Sequence, residues 1–142
     1  MIGKSVAQFP KRETVGPRDW GEEILAAVIP GVLTLKLLKI TKGNGGGLQY
    51  HRLKQEAGLL LSGKLLVRYE NLLGEIEEHI VEEGESFVFP KKSIHQEVAL
   101  EDCVIVEASS PHLNDRVRVE QYFGGAAETG LPTTDEHEIV HL

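Results

Sequence analysis

Gln49 and His51 stand two residues apart, and Glu56 follows five residues later. On a strand, side chains two apart leave the same face, so the amide and the imidazole point together. Glu56 lies beyond a short polar break, residues 52–55, early in what reads as the next strand. Antiparallel pairing of the two strands would bring its carboxylate beside them. A second stretch, residues 84–95 (GESFVFPKKSIH), supplies His95 in an otherwise apolar strand environment. Two imidazoles, a carboxylate and an amide oxygen form a ligand set for one divalent cation. Neutral imidazole is a strong nitrogen donor and Glu56 brings negative charge. Gln49 can coordinate only through its carbonyl oxygen, a weaker and neutral donor. The set suits Zn, Mn, Fe or Ni without choosing among them. The alternative is a metal-free pocket in which Gln49, His51 and His95 are hydrogen-bonded polar lining.

The elements that must position these groups read as strands. Residues 32–40, VLTLKLLKI, alternate Leu33, Leu35 and Leu37 against Thr34 and Lys36. Residues 59–61 run into a Ser62-Gly63 turn, and residues 64–70 alternate Leu65, Val67 and Tyr69 against charged or polar neighbours. Residues 71–74, NLLG, read as a hairpin loop. Further strands are expected over 75–81, 86–89, 96–100, 103–108 and 117–123, with an edge strand at 6–9. No stretch sustains a 3.6-residue apolar period. Short strands with turns every eight to twelve residues predict an all-β sandwich or barrel. Trp20, the single tryptophan, is expected to plug one end of it.

Composition bounds the rest. The chain has 142 residues, 41% hydrophobic and 26% charged, as in one ordinary globular domain. A net charge of −7 argues against nucleic acid or an anionic membrane as partner, since phosphate binding needs clustered Lys and Arg. Residues 1–16 hold no apolar run of signal-peptide length, and no window approaches the ~20 apolar residues of a membrane span. A cytoplasmic location is expected. Cys103 is the only cysteine, so no intrachain disulfide forms, and its apolar surroundings mark it as a core residue.

The two stretches resemble the paired motifs of the cupin family. The first, G-x5-H-x-H-x4-E-x6-G, falls on Gly43, Gln49, His51, Glu56 and Gly63, with every spacing kept and glutamine for the first histidine. The second, G-x5-P-x-G-x2-H-x3-N, falls on Gly84, Pro90, Lys92, His95 and Ala99, with lysine for the glycine and alanine for the asparagine. The resemblance implies a single-domain double-stranded β-helix, the jelly-roll barrel. Within cupins, the chain resembles the cupin domain of type II phosphomannose isomerases. Leu48, Gln49, His51, Lys54, Glu56 and Gly63 fall on one segment of that pattern, with lysine for arginine at Lys54 and Gly58 where an aromatic stands. Trp20 and Gly21 match upstream; Gly84, Glu85, Ser86, Pro90 and His95 match downstream. Asp115, Val117, Arg118 and Gly124 resemble the closing segment.

This resemblance covers about residues 17–124 and implies a metal-dependent aldose–ketose isomerase of a sugar or sugar phosphate, mannose-6-phosphate isomerase-like. Glu97, two residues after His95 and so on the same strand face, is the candidate base. Lys54 and Arg118 are the candidate phosphate anchors. The alternatives are another metal-dependent cupin enzyme, an oxygenase or lyase acting on a small organic acid, and a non-catalytic sugar-binding cupin. Residues 1–16 read as an N-terminal arm, 17–124 as the barrel, and 125–142 as an acidic tail, mobile or packed on a neighbour. Exposed sheet edges need covering, so a homodimer is expected.

Overall fold

Glu56, Gly58 and Leu60 are buried and the residues between them exposed in the computed structural model, which describes residues 2–3, 5–127 and 130–142. That period of two is what a strand with one face on a core requires. Among the described residues there are thirteen strands: β1 (Glu13–Arg18), β2 (Gly21–Ile29), β3 (Leu33–Ile40), β4 (Gln49–Tyr50), β5 (Glu56–Ser62), β6 (Leu65–Glu70), β7 (Ile76–Val81), β8 (Ser86–Phe89), β9 (His95–Ala99), β10 (Cys103–Ser109), β11 (His112–Leu113), β12 (Val117–Arg118) and β13 (Val140–His141). All pairings are antiparallel. One sheet runs β1-β2-β3-β10-β5-β8 and the facing sheet β12-β4-β9-β6-β7. This is the all-β, single-domain jelly roll, and the two sheets enclose one interior.

The interior is divided. Leu38, Ile40, Leu60, Leu65, Val67, Val81, Phe89, Ala99, Cys103 and Ile105 fill one end, with Trp20, Tyr69 and Phe87 packed against them. Burying each large aliphatic side chain contributes about 1.5–3 kcal/mol. Cys103 belongs to this core; its thiol donates to the carbonyls of Lys64 and Glu101, both at 3.2 Å. The other end is a polar cavity.

β3 turns that polarity inward. Thr34, Lys36, Leu38 and Ile40 are its buried residues, while Leu35 is exposed. The leucine alternation marks the strand correctly but faces partly outward, because the buried polar groups have partners on the neighbouring strands β2 and β10. Thr34 and Ser109 share a 2.6 Å hydrogen bond, and Lys36 reaches Glu23 Oε1 at 2.9 Å.

Other segments depart from the sequence expectation. Residues 6–9 form no strand and are exposed; the first strand is β1, at the end of the segment read as an arm. The expected strand over 117–123 stops at Arg118. Glu120–Phe123 coil into a 3-10 turn that Gly124 closes in the left-handed region, because the Glu120 carboxylate turns back to accept from the Leu48 N–H at 3.1 Å. The expected tail folds back on its own barrel over its final residues. β13 pairs with β11, and Thr134 is buried, its N–H bonded to the Arg116 carbonyl at 3.0 Å.

Two glycines are required by close approach. Gly63, at φ +98°, lies so near the backbone of Asp102 that a side chain would collide with its carbonyl. Gly58 stands opposite Phe87, whose ring occupies the space over it. Phe87 thus fills the volume that an aromatic at position 58 would take.

Candidate metal centre

His51 follows β4 directly, Glu56 opens β5 and His95 opens β9, so strand ends deliver all three side chains to the polar end of the barrel. All three are buried, and their ligand atoms lie within 4.8 Å of one another. Glu56 Oε1 is 3.6 Å from His51 Nε2 and 3.4 Å from His95 Nε2. Two ligands each ~2.1 Å from one cation at a tetrahedral angle stand ~3.4 Å apart.

The ring orientations are fixed from behind. His51 Nδ1 is 2.5 Å from the Asp115 carbonyl and His95 Nδ1 is 3.0 Å from the Ser93 carbonyl. A carbonyl only accepts, so each Nδ1 carries the hydrogen, and in the neutral tautomer the Nε2 lone pair is turned toward Glu56. Backbone anchoring of the distal nitrogen is the usual support of a metal-binding histidine. Burial holds His51 below its ordinary pKa, with Lys54 and His95 adding to the effect against the pull of Glu56. Phe89 stacks on the His95 ring at 3.9 Å and 13°, and Phe87 packs on Phe89 at 5.0 Å.

Asp115 organises the loop between His51 and Glu56. Its carboxylate accepts from the N–H groups of Arg52, Leu53 and Lys54 at 3.0, 2.8 and 2.9 Å. Burial raises its pKa, but these three donors prevail and hold it below the usual value. Sequence matching singled out Asp115 but not this role.

Gln49 stands opposite His95 in register and lines the same cavity. Glu97 lines it too. Burial, then the charges of Glu56 and Glu107, push its carboxyl well above the usual range. The two candidate anchors are otherwise engaged. Lys54 Nζ sits 2.5 Å from Glu56 Oε2 and 2.9 Å from Glu107 Oε1. Burial opposes its charge, but the two carboxylates win and raise its pKa. Arg118 binds Glu120 Oε1 through Nη2 at 2.5 Å and the Leu131 carbonyl through Nη1 at 2.8 Å. The physical reason is burial: a cation inside a barrel takes the nearest carboxylate.

Glu23, Lys36 and Glu107 also line this cavity and were not singled out from sequence. Glu107 is pushed up to about 8 by burial first and by Glu56 second. The available signal was a charged residue inside an otherwise apolar strand, at Lys36 and at Glu107.

No protein-family model and no curated protein sequence matches this chain. Solved structures do. The capsular polysaccharide assembling protein CapF from Staphylococcus aureus aligns with TM-score 0.62 and 21% identity over 72% of this chain and 29% of that one. An RmlC-like cupin from Shewanella frigidimarina aligns with TM-score 0.59 and 19% identity over 71% of this chain and 85% of that one. A single-substitution variant of the oxalate decarboxylase of Bacillus subtilis aligns with TM-score 0.64 and 19% identity over 76% of this chain and 30% of that one. The chain thus spans under a third of the length of CapF and of the decarboxylase. The fold is the cupin jelly roll.

Proposed function

We propose that this chain is a metal-binding cupin enzyme that interconverts aldose and ketose forms of a sugar or sugar phosphate, in the manner of mannose-6-phosphate isomerase. One observation carries the metal reading. Two Nε2 lone pairs, fixed from behind by backbone carbonyls, face one carboxylate oxygen at 3.4–3.6 Å. Three acceptors converging in a buried site call for a cation among them. His51, Glu56 and His95 would hold it, with the Gln49 carbonyl as a fourth donor. Zn, Mn, Fe or Ni fits this donor set. When bound, such an ion polarises a carbonyl and stabilises negative charge on its oxygen.

The chain's own groups do the rest. Lys54, set between Glu56 and Glu107, fixes the Glu56 carboxylate with Oε1 toward the histidines. Glu97, on the cavity wall, takes the proton from one sugar carbon and returns it to its neighbour. The apolar end of the barrel and the Phe87–Phe89 pair close the interior behind His95. Glu97→Gln should lower isomerase turnover about 10²–10⁴-fold with metal content unchanged. Turnover at the wild-type rate would remove Glu97 from the mechanism. Activity on neither sugars nor sugar phosphates would remove the isomerase reading.

A second reading has support: a metal-dependent enzyme of a small organic acid. It draws on the structural likeness to oxalate decarboxylase and on the arginines lining the cavity, Arg18, Arg116 and Arg118.

We also read the chain as a homodimer, through a sheet face more than an edge. On the outer face Leu35, Ala108, Ala57 and Val88 stand side by side, with Leu37, Val106 and Leu59 in the next row. Leu35, Leu59 and Val88 are more than a third exposed, and neither row carries a charge. In a chain of net charge −7, such a face lets a second copy approach without repulsion.

A further inference from the structure

Among the described residues, Arg116 is a half-buried cation without an anionic partner. Its Nε donates to the Pro132 carbonyl at 2.8 Å and its Nη2 to Asn114 Oδ1 at 2.7 Å, both neutral acceptors. Among the described residues it forms no ion pair. A guanidinium has five N–H donors, so the Nη1 donors and one Nη2 donor have no protein acceptor among the described residues.

Arg116 lines the cavity that also holds His51, Glu56 and His95. Arg18 and Arg118 line it as well, each bonded to its own carboxylate, Glu23 and Glu120 respectively. Burial, then the charge of Arg18 and more weakly that of Arg118, disfavours the charged form of Arg116, with Glu23 and Glu138 offsetting part of this. A half-buried cation beside two like charges is stabilised when an anion meets it. The open edge of a guanidinium matches a carboxylate or phosphate with two parallel hydrogen bonds.

The cavity measures about 160 Å³, below the ~300–1,000 Å³ of pockets that enclose a drug-sized ligand. A polymer chain or a large cofactor does not suit that space. A compact molecule, with an oxygen donor at one end and an anionic group at the other, does.

We infer that Arg116 is the anchor for the anionic group of this site's ligand, a small carboxylate- or phosphate-bearing molecule whose other end meets the His51/Glu56/His95 centre. This deepens the enzyme reading above, but the anion contact does not depend on the metal. Lys54 and Arg118 are already paired with glutamates, whereas Arg116 has open donors.

Trp20 lines the same cavity and is the only tryptophan, so its fluorescence reports occupancy. The experiment titrates metal-supplemented protein with glucuronate, glucose 6-phosphate and glucose, and repeats each titration with Arg116→Gln and Arg116→Lys. At least one anionic sugar should give a saturable change at concentrations at least about tenfold below glucose. Arg116→Gln should weaken that binding at least about tenfold, and Arg116→Lys, which keeps the charge and loses the fork, by less. Which anionic sugar binds tighter separates carboxylate from phosphate. Equal binding of glucose, no saturable signal from either anion, or an Arg116→Gln titration matching wild type would overturn the inference. Should Arg116→Gln misfold by circular dichroism, Arg116→Lys decides: affinity equal to wild type overturns it. Metal content measured on the same samples keeps the two readings apart. Anion binding through Arg116 without metal upholds this inference and removes the metal reading, while metal without Arg116-dependent anion binding does the reverse.

Discussion

Glu107 and Glu56 share Lys54, and the two carboxylates titrate in opposite directions. Glu56 is held well below its ordinary value: burial raises it, but the Lys54 charge and the hydrogen bond from Glu107 prevail. Glu107 is pushed up from 4.5 to about 8. Between those two values the folded chain holds a proton on Glu107 that the unfolded chain has lost. Its contribution is therefore fully present below pH 4.5 and is lost as pH rises through about 8. Glu97 is raised in the same sense, whereas Glu56 acts only below its unfolded value and so outside this window. Urea unfolding of metal-free protein should show stability falling from pH 5 to 8, and Glu107→Gln should reduce that slope, by up to about 1.4 kcal/mol per pH unit. An unchanged slope would mean that Glu107 is ionised throughout. The histidine and glutamate spacing made the His51, Glu56 and His95 cluster legible in the sequence. Glu107 was marked only as a charge within the apolar strand CVIVEAS, where both parities carry apolar residues and either face could have been the inner one.

Among the strands and turns, the barrel is held by contacts that a single side chain would block. Gly63 ends β5 in a backbone region that L-residues avoid, pressed against the Asp102 carbonyl. Gly63→Ala should cost about 2–3 kcal/mol in chemical denaturation, with the far-UV spectrum kept. A loss below about 0.5 kcal/mol would show that the turn relaxes freely. The motif glycine at this place was readable from spacing alone. Lys92 stands where the second motif has glycine and nevertheless takes φ +66°, its N–H bonded to the His51 carbonyl at 2.8 Å, so the turn survives the loss of its usual residue. The 3-10 turn after Arg118 was not readable. It forms because Glu120 is recruited by Arg118 two residues before it and by the Leu48 N–H, the latter a long-range contact that no local pattern encodes.

Over the molecule as a whole, the fold was legible in the motif spacing and the strand alternation, while the inner and outer faces were not. The alternation in β3 marked a strand, yet its inner side holds Lys36 because Glu23 is there to meet it. The leucines displaced outward by that choice form part of the uncharged face read here as a dimer contact. Leu59→Glu would place two like charges across that contact and should convert a dimer to monomers in sedimentation velocity, with the fold retained. A wild-type chain that is monomeric at micromolar concentration would contradict the dimer. The C-terminal segment folds back on the barrel, through Arg52 to the Thr134 carbonyl at 2.7 Å and Arg116 to the Pro132 carbonyl, and its Gly130 and Leu131 line the cavity.

Everything proposed for the chemistry rests on His51, Glu56 and His95 holding a metal ion. Elemental analysis of protein purified without an affinity tag, beside a His51→Ala/His95→Ala variant, puts this to the test. The wild type should carry one divalent ion per chain, and the variant should lose it. A wild type that arrives metal-free and takes up none of Zn, Mn, Fe(II) or Ni on dialysis would refute the metal centre.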